Sequence, residues 1–242
     1  MLDQWTLFQY NLGIWQGSFT TFNQQLQLQH VQPSELTLAL APSGVSIELS
    51  LLFWSEQQHQ PVAPPMAEPV KRISQSFSNL SSELCFFSTG SFCRGSLFIA
   101  SFPQAWSRPY AEFGFLNGPR RHRLVLLWDG AGHLDRIILI REFRAGSSAV
   151  ECPPLQANQL LGDWRCDINS PGDGLRLEAD DLEQWIFLPD GGAFLAPLQI
   201  DPNQTFRIEA LWVSSPTRLE RITRRYGDNG ALTSVDHQLL IR

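Results

Sequence analysis

Asn11-Leu12-Gly13-Ile14-Trp15-Gln16-Gly17-Ser18-Phe19 returns in shorter form as Leu160-Leu161-Gly162-Asp163-Trp164-Arg165. Each copy reads Leu-Gly-x-Trp and opens a run of short segments with the period-two alternation of β-strands. Each run ends on an arginine, Arg144 in the first and Arg242 in the second. With 17 Gly and 8 Trp in 242 residues, chance supplies about 0.56 Gly-x-Trp tripeptides. Two copies, both preceded by Leu and both followed by the same ending, point to an internal duplication.

The endings align without gaps at an offset of 98 residues. Arg123 falls on Arg221, Trp128 on Tyr226, Gly132 on Gly230, Leu134 on Leu232 and Arg144 on Arg242. The last Arg of each copy therefore lies at the far end of the last strand. The spacing predicts a plug in each half. A Trp on the first strand covers the floor of a barrel, and the Arg lays its guanidinium over the indole. Gly beside the Trp lets the backbone pass close to the ring. The residues assigned to barrel closure are Gly13, Trp15 and Arg144, and Gly162, Trp164 and Arg242.

Working outward, residues 2–11 space Leu2, Trp5 and Phe8 like one or two amphipathic helical turns, with Asp3 near the start. From Trp15 onward the pattern is β, with no convincing 3.6-residue period after residue 12. Among the expected strands are Glu35–Leu40, Val45–Leu51, Ser91–Phe102, Arg121–Trp128, Leu134–Phe143, Leu182–Leu188 and Thr217–Tyr226. Residues 56–69 hold four prolines and read as a long loop. Gly-Ser-Ser and Pro153-Pro154 in Ala145–Ala157 mark a linker. The expected class is all-β, with lipocalin-like antiparallel barrels at 1–148 and 149–242 behind a short N-terminal helix. Gly162 to Arg242 spans 81 residues, just enough for eight strands of about six residues, so the second barrel is expected to be narrow, incomplete or filled.

The start NLGIWQGSF, with LLGDW in support, resembles the calycin superfamily, and more closely a double-lipocalin-like family of unknown function found in cyanobacteria. The resemblance covers nearly the whole chain, but its motifs are structural. It implies two barrel-like halves and, by analogy, a small apolar ligand. A more distant likeness is to the lipocalin-like lyases that attach bilins to phycobiliproteins. That likeness implies a bilin and a phycobiliprotein partner.

Composition excludes several classes. Hydrophobic residues make up 43% and charged residues 17%, as in a folded globular chain. A net charge of −6, with Lys71 the single lysine, does not favour nucleic acid. No apolar run reaches the roughly 20 residues of a membrane span. Met1-Leu2-Asp3-Gln4-Trp5 lacks the basic and apolar regions of a secretory signal, so a soluble cytoplasmic protein is expected.

Catalytic signatures are absent from the sequence, as are cofactor-binding ones. Asp236-His237 are strand neighbours and face opposite sides. His133 and Asp135 share a face, but read as a surface pair. Asp167, Asn169, Gly172 and Glu178 fit a calcium-loop spacing, yet Pro171 stands where an oxygen ligand belongs, so no metal is expected. Cys85 and Cys93 face each other if their hairpin pivots on Thr89, and two reduced thiols are the expected state. Trp106, Tyr110 and Phe113 with Arg108 form an aromatic–basic cluster near a pocket mouth.

The ligand candidates come from the repeated hairpin. One face of strand 121–128 holds His122, Leu124, Leu126 and Trp128, and its apolarity predicts that it looks inward. By the offset, Arg224 and Tyr226 then point inward in the second half. Arg-x-Tyr late in a small barrel resembles the carboxylate-holding motif of fatty-acid-binding proteins, and a buried guanidinium needs an anion. A protein carboxylate such as Glu220 satisfies that need equally well. The sequence thus nominates Arg224, Tyr226, Trp128 and His122 for a small apolar carboxylate, a fatty acid or a linear tetrapyrrole. A bilin lyase or chaperone, and a filled-barrel assembly protein, remain as alternatives.

Overall fold

The computed structural model describes residues 2–56, 68–99, 108–167 and 173–242. Helix α1 (Gln4–Gln9) starts where Asp3 caps it, its carboxylate accepting from the Thr6 N–H at 2.8 Å. Nine strands follow: β1 (Gly13–Phe22), β2 (Leu28–Leu40), β3 (Ile47–Phe53), β4 (Lys71–Phe77), β5 (Leu84–Phe86), β6 (Phe92–Gly95), β7 (Tyr110–Asn117), β8 (Arg120–Trp128) and β9 (Leu134–Arg144). They form one antiparallel sheet in the order β4-β3-β2-β1-β9-β8-β7-β6-β5. A second antiparallel sheet contains β10 (Gly162–Cys166), β11 (Leu175–Leu177), β12 (Ile186–Phe187), β13 (Gly192–Leu195), β14 (Phe206–Ser215), β15 (Arg218–Tyr226) and β16 (Leu232–Ile241). Its order is β11-β10-β16-β15-β14-β13-β12. Among the described residues the protein is all-β apart from α1 and two short 3₁₀ turns.

The duplication is visible in the strand orders. In each sheet the Gly-x-Trp strand, β1 or β10, pairs with the last strand, β9 or β16. From there both orders run backward along the chain for four more strands. The difference lies on the other side of the Gly-x-Trp strand. The first sheet adds β2, β3 and β4, whereas the second adds only the three-residue β11.

Three expected strands differ. β2 starts seven residues before Glu35, at Leu28, and runs straight through Pro33. The ladder to β3 ends at Ser34↔Phe53, so on that side Pro33 is not asked for the N–H it lacks. Leu182–Leu188 is a 3₁₀ turn at Asp180–Leu182 followed by two-residue β12, because Trp185 and Leu182 are drawn into the core by a turn rather than an extended run. β6 stops at Gly95 within the expected Ser91–Phe102. The proline-rich loop lies almost wholly outside the described residues, as do Trp106 and the Asn169–Gly172 part of the calcium-loop spacing.

Packing divides the chain into two compact units. The first comprises 1–95, 112–127 and 135–150; the second comprises 96–111, 128–134 and 151–242. Trp15 centres a core in the first unit with Leu7, Phe8, Leu36, Leu38, Ile47 and Phe86. Trp164 centres a core in the second with Leu182, Trp185, Leu211, Val213, Leu219 and Leu240.

Within the second unit two non-strand segments pair with hairpin tips in the same way. Ile99 donates its N–H to the Gly230 carbonyl, and Leu232 donates to Leu97, both at 2.8 Å. Ile200 donates to Gly132 at 2.9 Å, and Leu134 to Leu198 at 2.8 Å. Leu97-Phe98-Ile99 from one repeat thus grips the tip of the other, and Leu198-Gln199-Ile200 returns the arrangement.

Candidate functional site

The Trp–Arg pairs have matching geometry. The Trp15 indole N–H donates to the Asn11 carbonyl at 2.8 Å, and that of Trp164 to Leu160 at 2.8 Å, four residues back in each case. Arg144 Cζ lies 4.4 Å from the Trp15 ring, and Arg242 Cζ lies 4.1 Å from Trp164. Arg144 Nη1 donates to the Leu12 carbonyl at 2.8 Å, and Arg242 Nη1 to Leu161 at 3.1 Å. Both accepting residues precede the glycine. Gly13 has φ +132°, and a Cβ there would run into Arg144 Nη1; Gly162 has φ +98°, with open space around its Cβ. Gly13→Ala is therefore expected to cost about 2–3 kcal/mol, backbone strain plus a displaced guanidinium, and Gly162→Ala about 1–2 kcal/mol from strain alone. Urea unfolding of the two variants checks the order.

The inner face of the first sheet follows from the register. Ile73, Leu51, Leu36, Trp15 and Arg144 form one row across β4-β3-β2-β1-β9. Lys71, Phe53, Ser34, Gly17 and Glu142 form the next row on the same face. Phe19, Leu49 and Leu51 are only partly covered, and Ile73 is exposed.

β8 brings arginines to this face. Arg121 Cζ lies 4.6 Å from the Trp15 ring, and Arg123 Cζ lies 5.5 Å from Phe19. Arg121 Nε donates to Glu142 Oε2 at 2.9 Å. Arg123 donates to both Glu142 oxygens at 3.0 and 3.2 Å, and to Glu112 at 3.0 Å. Glu142 is fully buried and Arg121 is 2% exposed. Burial alone would push the Glu142 carboxyl up, but the two guanidiniums and their hydrogen bonds together hold it below the usual carboxylate range. Burial also lowers Arg121, while Glu142 and Glu112 overcome burial and raise Arg123.

This corrects the inward and outward assignment of β8. His122, Leu124, Leu126 and Trp128 occupy the face opposite Trp15. Neither face of β8 is open to solvent, since His122, Leu124, Leu126 and Trp128 are buried while Arg121 is buried and Arg123, Val125 and Leu127 are partly covered on the other side, so the more apolar face need not be the inner one. The same parity applies to β15, where Leu219 packs with Trp164 while Arg224 and Tyr226 lie on the other face.

The nominated residues are placed as follows. Arg224 Nη2 donates to the Ser96 carbonyl at 3.0 Å, and its Nε to the Tyr226 hydroxyl at 3.1 Å. The Tyr226 hydroxyl donates to Ser96 O at 2.8 Å, and its ring stacks on Phe206 at 4.7 Å. The Trp128 indole N–H donates to the Pro197 carbonyl at 3.0 Å. Trp128 and Tyr226, equivalent by the offset, therefore each hold the carbonyl just before a tip-gripping segment. His122 lies against Phe115, ring centroids 6.4 Å apart. The structure brings Arg224 and Tyr226 together, whereas His122 belongs to the other unit. Glu220 accepts from Arg218 at 2.6 Å and lies 3.2 Å from His237 Nε2.

Cys85 stands directly across from Cys93, and no disulfide joins any of the four cysteines. His133 lies 3.6 Å from Asp129 at the surface. Among the described residues no group of three or more His, Cys, Asp or Glu is placed to hold a metal, and no helix is long and apolar enough to cross a membrane.

Arg121, Arg123, Glu112 and Glu142 were not nominated from the sequence. The signal that finds them is the repeat itself. At the offset of 98, Arg121 and Glu142 fall on Leu219 and Leu240, both in the packed core around Trp164.

Comparison with curated proteins finds no match. Residues 169–238 match a family model described as the C-terminal domain of a biogenesis factor required for ATP synthase. An S-type phycobiliprotein lyase from Guillardia theta aligns with 61% of this chain and 95% of its own at 13% identity and a TM-score of 0.38. The crystal structure of a DUF3598 protein of unknown function from Nostoc punctiforme PCC 73102 covers 100% of both chains, at 28% identity and a TM-score of 0.83. Residues 1–147 match the family model for the N-terminal domain of unknown function DUF3598. With that match extending over more than half its length, the chain belongs to the DUF3598 family.

Proposed function

We propose that the chain is a non-enzymatic binding protein that holds a small apolar molecule with a carboxylate, a fatty acid or a linear tetrapyrrole, on the inner face of its first unit. Residues 1–148 are then the ligand module and 149–242 a filled companion. The supporting observation is the contrast at equivalent positions. The second repeat builds the same frame with Leu219 and Leu240 where the first carries Arg121 and Glu142. A buried ion pair is a poor route to stability, and perturbed buried charges gather at functional sites. Around it, the partly covered Phe19, Leu49 and Leu51 make the apolar wall that such ligands need.

Native mass spectrometry with an absorption spectrum, on protein from a pigment-producing host, tests this. Wild type is expected to carry an added mass, coloured for a tetrapyrrole and colourless for a lipid. Leu51→Trp, which fills the cup, should lose it, and Arg224→Met should keep it. The opposite pattern would return the site to Arg224 and Tyr226. No added mass in wild type would overturn the proposal.

A second reading is an assembly protein. It is favoured by the packed core of the second unit and by the match of residues 169–238 to a domain of an ATP synthase biogenesis factor. Co-purification of ATP synthase subunits with the full chain would support it. Co-purification of a phycobiliprotein would instead bring the bilin-lyase alternative forward.

A further inference from the structure

The acid end of such a ligand needs a cation, and the arginines of the inner face already have partners. Arg121 and Arg123 face Glu142 and Glu112, two positive charges against two negative ones. A ligand carboxylate added there would leave an uncompensated negative charge beside a carboxylate that solvent does not reach. Arg144 is committed to the Leu12 carbonyl and the Trp15 ring.

Lys71, the single lysine of the chain, stands on the same face and is exposed. It opens β4 and lies across from Phe53 in the β3–β4 ladder. Its ammonium is 5.8 Å from the centroid of the Phe53 ring, and among the described residues it meets no carboxylate. Phe53 is buried and packs edge-on against Phe19, ring centroids 5.0 Å apart. The lysine stem therefore lies over apolar surface while its charge stays in water. Ser34, beside Phe53 in that row, is wholly buried with its hydroxyl unpartnered. The row thus carries hydrogen-bonding capacity, on two strands, that the protein itself leaves unused.

Position along β4 completes the case. Its Phe77 end is covered by α1, where Phe8 lies edge-on to Phe77 at 5.7 Å. Lys71 is at the opposite end. Between them the inner face presents exposed Ile73 beside partly covered Leu51. It then reaches Gln75 and Phe77, which with Leu80 and Leu84 help to line a cavity of about 250 Å³. Four residues of strand span about 13 Å, so a long acyl chain held at Lys71 reaches Gln75 and that cavity.

Resting on the reading of the first unit as a ligand site, we infer that Lys71 receives the acid group at the end of the inner face opposite α1. The apolar body then lies along β4, over Ile73 and Leu51 toward Phe77. The ligand sits head-out on an exposed ammonium, not head-in on the buried arginines.

Fluorescence titration of the full chain with cis-parinaric acid and with its methyl ester tests the orientation. Wild type should bind the acid more tightly than the ester. Lys71→Gln should weaken the acid by on the order of tenfold and leave the ester nearly unchanged, and Lys71→Arg should restore the acid. Arg72→Gln, on the opposite face of β4, should change neither. Added salt should weaken the acid alone, because an exposed pair is screened. With one lysine in the chain, amine acylation read on the Lys71 peptide by mass spectrometry gives a second measure. The acid should protect that peptide and the ester should not. Equal acid losses in Lys71→Gln and Arg72→Gln would reduce the effect to general surface charge and overturn the inference. So would a silent Lys71→Gln beside an acid-selective loss in Arg123→Met. Equal wild-type affinity for both probes, abolished by Leu51→Trp, would keep the cup and remove the acid subsite. Binding of neither probe would overturn the ligand site itself, and this inference with it.

Discussion

Glu142→Ala is expected to destabilise the protein by about 3–5 kcal/mol, the usual cost of stranding a buried charge by removing its partner. Two guanidiniums lose their shared acceptor at once, and Arg121 has no exposed surface from which to recruit water. The double variant Arg121→Leu, Glu142→Leu should behave differently. It reproduces the Leu219 and Leu240 pair of the second repeat and leaves Arg123 with Glu112. Its expected stability lies within about 1 kcal/mol of wild type or above it, since replacing a buried pair by apolar groups is often neutral or favourable. The pH dependence separates the two further. Glu142 has its carboxyl held below the ordinary range in the fold, so its contribution is fully present above the ordinary carboxylate pKa. It is lost as pH falls through the depressed value. Urea midpoints measured from neutral to acid pH should show this acid-side loss in wild type and a weaker one in the double variant. A single-alanine variant as stable as wild type would remove the argument that the network is a charged insertion into an otherwise apolar frame.

The second large effect concerns the fragment 149–242, which is expected not to fold cooperatively. It contains all of β10 to β16, yet the second unit also includes residues 96–111 and 128–134. Cutting at the linker removes the Leu97 and Ile99 partners of the Gly230–Leu232 tip, the Ser96 carbonyl held by Arg224 and Tyr226, and the Trp128 indole held by Pro197. Tyr226 and Arg224, buried in the intact chain, would then lose the Ser96 acceptor and expose the apolar surface around them to water. Near-ultraviolet circular dichroism should be flat for the fragment and should reappear when 1–148 is co-expressed with it. A sharp, independent thermal transition of 149–242 alone would contradict this.

Much of the architecture was legible because it rests on local signals written twice. Leu-Gly-x-Trp, the ending hairpins and the offset of 98 specify an all-β duplicated frame, and the short span after Gly162 points to a reduced second sheet. The inner face was not legible. Alternation reports that a strand has two faces, but it names the inner one only when the other is wet. Both faces of β8 carry buried residues, and the inner one holds Arg121 and Arg123. The tip-gripping segments did leave a trace, since Leu-x-Ile occurs at 97–99 and again at 198–200.

That exchange of segments also sets a timetable. A ribosome releases residues 97–99 and the 128–134 tip well before it has made Leu198–Ile200 and Gly230–Leu232. At synthesis rates of about 5–20 residues per second, the last partner arrives roughly 5–20 s after Leu134. Through that interval Ile99 and Trp128, both buried in the finished fold, are apolar groups waiting for a docking site that does not yet exist. The first repeat cannot finish alone, so the nascent chain passes through an adhesive stage in which a holding chaperone, or slow dilution during refolding, decides the yield.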